Sequence, residues 1–126
     1  IVTETYYNYS KVRSIIDTIS SVSAMNTKNY DICIVNGSLQ LMDQGLLEVE
    51  FITMDSDAAV GDEIVTSYIS SKYFPGIKIG YLTEITNDNN NLTKTAKLTP
   101  VVDFEHLTEV LVITELKEDM MQEEGN

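Results

Sequence analysis

Acid–base chemistry would have to start at His106, the one histidine in 126 residues, set in VVDFEHLTEVLVI (101–113) between Asp103, Glu105 and an apolar run. An imidazole beside a carboxylate works as a general base only with a pocket, an orienting partner and a substrate site. The sequence marks none of these. Asp103 reads as an N-cap and FEHL as one helical or 3-10 turn, burying Phe104 and Leu107 and leaving His106 in water. VLVI, residues 110–113, then reads as a strand buried on both faces. Nucleophilic chemistry would fall to Cys33, whose neighbours in YDICIV are core-like, so a buried and inert thiol is expected. A small β-barrel hydrolase or peptidase using Cys33 or a serine with His106 is the alternative function to weigh.

Other chemistries fare worse. DSDAAVGDE (55–63) opens like a calcium loop, but Ala59, Val60 and Thr66 stand where an oxygen ligand, a glycine and a glutamate are required. Gly37, Gly61, Gly76 and Gly80 are not spaced as a phosphate loop, and Ser38 lacks the nucleophile elbow. No cofactor, metal or catalytic residue is expected. Aromatic side chains are the better candidates for function: Tyr6, Tyr7 and Tyr9 in TYYNYS, and Tyr73 and Phe74 in KYFPG. Tyrosine combines contact area with few rotors, which suits partner binding. Strand alternation would turn Tyr7 and Tyr9 to one face and Tyr6 to the other. A carbohydrate-binding module would want coplanar aromatics, and the chain has no Trp.

The elements that must carry these residues are short strands. YDICIV, then NG, then SLQLM reads as a hairpin with Asn36-Gly37 in a type I′ turn. LLEVEFIT (46–53) alternates Leu47, Val49 and Phe51 inward with Glu48 and Glu50 outward. DEIVTSYI (62–69) follows the turn at Gly61-Asp62. KIGYLTEIT (78–86) and LTKTAKLT (92–99) flank the NDNNN tip, the second with Leu92, Ala96 and Leu98 on one face. YSKVRSIIDTISSVSAM (9–25) is ambiguous; its β-branched content favours strand over 11–16 and a turn or helical piece over 17–24. The fold class is all-β: a small barrel of five to six short antiparallel strands, plus part of a second, incomplete β-barrel.

With 43% hydrophobic residues the chain can bury a core without metal or disulfide help, and the single cysteine allows no internal disulfide. A net charge of −12 excludes nucleic acid as a partner and disfavours anionic lipid surfaces. Part of that charge sits in residues 117–126, which read as a disordered acidic tail. No stretch is long and apolar enough for a membrane span, and the abrupt start IVTETYYNYS suggests a piece of a longer protein.

Three motifs in register, VGDEIVTS (60–67), FPGIKIGYLTEI (74–85) and VVDFEHLTEVLVI, closely resemble the extracytoplasmic region of the rod shape-determining protein MreC family. YSKVRSIIDTISSVSA (9–24) resembles the segment leading into that family's second β-domain, and the likeness runs from about residue 9 to 116. The resemblance implies a non-catalytic scaffold of cell-wall elongation that maintains rod cell shape. It would be anchored at the outer face of the bacterial cytoplasmic membrane by an N-terminal helix not in this chain. It implies self-association, as a homodimer or larger array, and MreB, MreD, RodA and a class B penicillin-binding protein as partners. It also implies residues 24–97 as the second barrel, with 1–23 and 98–116 as part of the first. An incomplete barrel would leave its first or last strand to pair with another chain, or residues 1–10 poorly ordered. Two departures from the family pattern stand out: YISSKY (68–73), where a glycine-rich turn is usual, and Lys78 in place of a proline.

Overall fold

Residues that are β-branched at every second position fit a pleated surface with one face in the core, and such runs recur along this chain. The structure, a computed structural model, describes residues 1–16, 20–69, 74–87 and 92–113. Tyr73, residues 88–91 of the Asn-rich tip and the acidic tail lie outside the described residues. β1 (Val2–Thr5) and β2 (Ser10–Val12) form an antiparallel hairpin of their own. β3 (Ser21–Asn26), β4 (Ile32–Asn36), β5 (Leu47–Thr53), β6 (Glu63–Thr66), β7 (Lys78–Asn87) and β8 (Thr93–Pro100) close into an antiparallel barrel. Its order is β3-β4-β5-β8-β7-β6, with β6 pairing back to β3. Helix among the described residues amounts to one turn, α1 (Leu39–Met42), and the 3-10 turn Phe104–His106.

Alternation fills the barrel. Val22 and Ala24 on β3, Cys33 and Val35 on β4, Leu47 and Val49 on β5, Leu82 on β7 and Leu98 on β8 point inward and are buried. Each large aliphatic side chain so buried contributes about 1.5–3 kcal/mol. No buried side-chain polar atom among the described residues lacks a hydrogen bond. β7 and β8 run close together at Gly80, opposite Pro100; a Cβ there would lie 2.1 Å from the Thr99 carbonyl oxygen. Glycine is required at that crossing.

Several local expectations give way. Asn36 and Gly37 do not adopt positive φ; the chain runs on into α1 and reverses at Gly45, whose φ is 70°. SLQLM is therefore a helical turn rather than a strand, because its leucines have no sheet edge to join: β4 pairs directly with β5. Strand β2 stops at Val12, and β3 begins at Ser21, inside the segment expected to be helical or turned. The pairing of Ser21–Met25 with β4 overrides the Ser-rich local preference. Leu92, at the hairpin tip, is exposed rather than aligned with Ala96 and Leu98. Residues 1–12 are ordered as the β1–β2 hairpin.

Phe51 gives the largest departure. It was expected inward with Leu47 and Val49, yet it is 61% exposed and Ile52 takes the core position. The cause is a β-bulge: Val49 pairs with Ala96 and Ile52 with Lys94, so Glu50 and Phe51 together oppose Thr95. Phe51 sits at φ 63°, a left-handed conformation that a bulky residue adopts against its preference. Phe51→Gly should thus be more stable than Phe51→Ala by about 1 kcal/mol, the reverse of the order inside an ordinary strand, when unfolding is followed in urea.

Candidate functional site

The acid–base candidates are brought to the surface. The 3-10 turn sets His106 Nδ1 2.8 Å from Asp103 Oδ2, with both side chains mostly in water. This pair could orient an imidazole, but an exposed imidazole has no enclosed substrate site to act upon. Cys33 is 4% exposed and faces the barrel core. Burial, and secondarily the Asp31 carboxylate, push its thiol up to about 12. At pH 8 the folded chain should resist a maleimide or disulfide reagent and react only on addition of denaturant. Rapid labelling of the native protein would contradict the inward placement.

Two expectations for the 101–113 stretch are corrected. Leu107 is half exposed rather than buried, and Val110–Ile113 form no strand: Leu111 is 96% exposed. The six strands of the barrel pair with one another in a closed ring, and the run joins neither that ring nor the β1–β2 hairpin.

Of the aromatic candidates, Tyr6, Tyr7 and Tyr9 cluster at the tip of the β1–β2 hairpin. The Tyr6 amide donates to the Tyr9 carbonyl at 2.8 Å, a tight turn that brings their rings to 4.4 Å, stacked. Turn geometry thus replaces the alternation that would have separated them. Tyr6 also donates to Glu4, Lys11 lies over its ring, and Tyr7 is fully exposed. Phe74 is set far from this tip in sequence and is half-buried. The Thr66 hydroxyl donates to its carbonyl at 2.6 Å, and the Ile77 amide donates to the same hydroxyl at 2.9 Å. Tyr73 lies outside the described residues. Lys78, at the position where the resemblance has proline, pairs across the sheet and reaches Glu63 at 3.6 Å.

One end of the barrel is shut by a polar network. Asn26, 3% exposed, donates from Nδ2 to Asp62 Oδ2 at 2.9 Å and accepts from the Lys28 amide at 2.9 Å. Asp62 also accepts from the Ala59 amide at 2.8 Å and pairs with Lys28 at 3.1 Å. Asn29 donates to Asp57 at 2.5 Å. Beneath this lid, the space lined by Cys33, Ile52, Ile64 and Leu82 measures about 10 Å³, room for no more than a single water. No internal ligand site exists there.

The outer wall offers more room. An open groove of about 190 Å³ runs between α1 and the β5–β8–β7 face, lined by Gln40, Leu41, Glu48, Glu84, Thr95 and Lys97. Glu48 faces Lys97 across the sheet, but Lys97 lies 3.2 Å from Glu84 on β7. Burial, and then the neighbouring Glu50, hold the Glu48 carboxyl above the ordinary range. Sequence reasoning missed this groove: nothing in SLQLM announced a helical turn standing beside the wall. Among the described residues no His, Cys, Asp or Glu cluster is arranged to hold a metal, and no helix is long and apolar enough to cross a membrane. The chemistry available is that of surfaces.

The family described as rod shape-determining protein MreC, barrel core, matches residues 1–114. The chain belongs to the MreC family. That family is non-catalytic and shape-determining, so the hydrolase alternative is set aside. Solved MreC structures share the barrel. MreC from Pseudomonas aeruginosa is 20% identical with a TM-score of 0.68, the match covering 79% of this chain and 62% of that one. MreC from Listeria monocytogenes is 32% identical with a TM-score of 0.63, covering 69% and 41%. A chain of the complex between the penicillin-binding protein PBP2 and MreC from Helicobacter pylori matches at 21% identity and a TM-score of 0.57, covering 67% and 50%. The present MreC-family chain therefore spans 41–62% of the length of these structures. Comparison with curated protein sequences finds no match.

Proposed function

We propose that this chain is the extracytoplasmic barrel core of a scaffold for the bacterial cell-wall elongation machinery, maintaining rod shape through protein–protein contacts and self-association. The family match across residues 1–114 carries this reading. The protein stands at the outer face of the cytoplasmic membrane, held by an N-terminal helix outside this chain. Its partners are MreB, MreD, RodA and a class B penicillin-binding protein. Support for the last is that an MreC sharing this barrel occurs in a complex with PBP2. The second of two barrels, expected over residues 24–97, takes in the whole closed ring from Ser21 to Pro100, with the segments on either side contributing to the first. Support for that division is the apolar surface on both flanks of the closed barrel, at Val2, Val12, Val102, Leu107 and Leu111.

The aromatic side chains Tyr6, Tyr7, Tyr9, Tyr73 and Phe74 take part in partner contact. Pull-down of the class B penicillin-binding protein from native membranes tests the scaffold: the full-length protein should retain it, and failure to do so rejects the reading. Changing the five aromatics to Ala should release the partner; retention would discard those patches. His106→Ala should leave rod shape fully complemented, whereas an enzyme would lose it.

A further inference from the structure

We propose that the outer face of β5 beside α1, formed by Glu48, Glu50 and Phe51, is a docking surface for a partner-protein segment carrying basic side chains next to an apolar one. This deepens the scaffold reading and rests on it. Alternation turns Glu48 and Glu50 to the outer wall, where both are half-buried. Neither carboxylate has an ion-pair partner among the described residues. The cation nearest in register to Glu48, Lys97, is engaged by Glu84. Partial burial without a counter-charge leaves Glu48 in a site that an incoming guanidinium or ammonium group would complete.

Phe51 supplies the apolar half. The bulge carries it out of the core and exposes it, in a backbone conformation that glycine would hold more easily. An aromatic kept against local preference, contributing nothing to the core it was displaced from, is the kind of outlier that marks a contact site. It follows Glu50 on β5, and Glu48, earlier on the same strand, lines the groove flanked by Leu41. Charge complementarity decides the occupant: two uncompensated carboxylates select Lys or Arg, and the net charge of −12 steers basic segments toward the chain.

Calorimetric titration of the 126-residue chain with the peptides Ac-Arg-Leu-Arg-Leu-Arg-amide and Ac-Arg-Ser-Arg-Ser-Arg-amide tests this. The leucine peptide should bind at least about tenfold more tightly than the serine peptide. Phe51→Gly should abolish that preference without lowering the melting temperature, a combination a purely structural residue would not give. Glu48→Gln with Glu50→Gln should weaken both peptides by about tenfold, while Asp43→Asn with Asp55→Asn should not. Equal affinity for the two peptides, no binding of either, or equal weakening by the two acid-to-amide pairs would overturn the proposal. Native-membrane pull-down separates the two readings: full partner recovery by the Phe51→Gly, Glu48→Gln, Glu50→Gln variant rejects this surface and leaves the scaffold standing.

Discussion

Gly80→Ala is expected to destabilise the barrel by about 3 kcal/mol, a large effect for one methyl group. The new Cβ would meet the Thr99 carbonyl oxygen at 2.1 Å, Leu98 Cδ2 at 2.7 Å and the Thr99 carbonyl carbon at 2.8 Å. Two of those atoms are backbone, and Leu98 is fully buried with nowhere to swing. Relief requires β7 and β8 to separate at the Gly80–Pro100 pair, which strains the adjoining bond from the Val101 amide to the Ile79 carbonyl. Since both strands also pair with other barrel members, the separation would spread around the closed sheet. Urea unfolding of the variant checks this, and a midpoint matching the wild type would show that the strands can part at little cost.

Asn26→Ala is expected to cost about 2 kcal/mol. The substitution removes both a donor to the Asp62 carboxylate and an acceptor for the Lys28 amide, at a position almost wholly shielded from water. It also changes the response to acid. Burial pushes the Asp62 carboxyl up, but hydrogen bonds from Asn26, the Ala59 amide and Lys28, with the Lys28 charge, outweigh it and hold the group below its ordinary value of 3.8. A carboxyl depressed in the folded state stabilises above its unfolded value and loses that contribution as pH falls through the folded value. Asp57 moves in the same direction, mainly through its bond from Asn29. Stability should therefore decline as the pH drops below about 4. The gap between wild type and Asn26→Ala should narrow over the same range. A gap independent of pH would mean that Asn26 does not act through Asp62.

The barrel was legible because period-two patterning is a local property. In LTKTAKLT, Ala96 and Leu98 fall inward wherever the strand is placed, and the Asn-rich tip announces its hairpin. Phe51 was misread because a bulge is a property of pairing: only the register of β5 against β8 shows that two residues oppose Thr95. VLVI looks like a buried strand from composition, yet burial depends on a neighbour, and neither the closed ring nor the β1–β2 hairpin pairs with it. Tyr6 and Tyr9 came together through a turn hydrogen bond that alternation cannot anticipate. Of the site, the inertness of Cys33 could be read from its apolar neighbours. The groove beside α1 could not, since it arises where a helical turn meets a sheet face distant in sequence.

Closure of the barrel also sets a tempo. The pairs that seal it, Ala24 with Thr66 and Leu47 with Leu98, join segments about forty and fifty residues apart. Chain ends so distant must find each other before their contact repays the lost freedom, which places acquisition of the native state in the millisecond-to-second regime typical of non-local β topologies. During that interval the apolar strands stand open, so a newly made chain would depend on prompt ring closure, or on a chaperone, to avoid sticking to its neighbours.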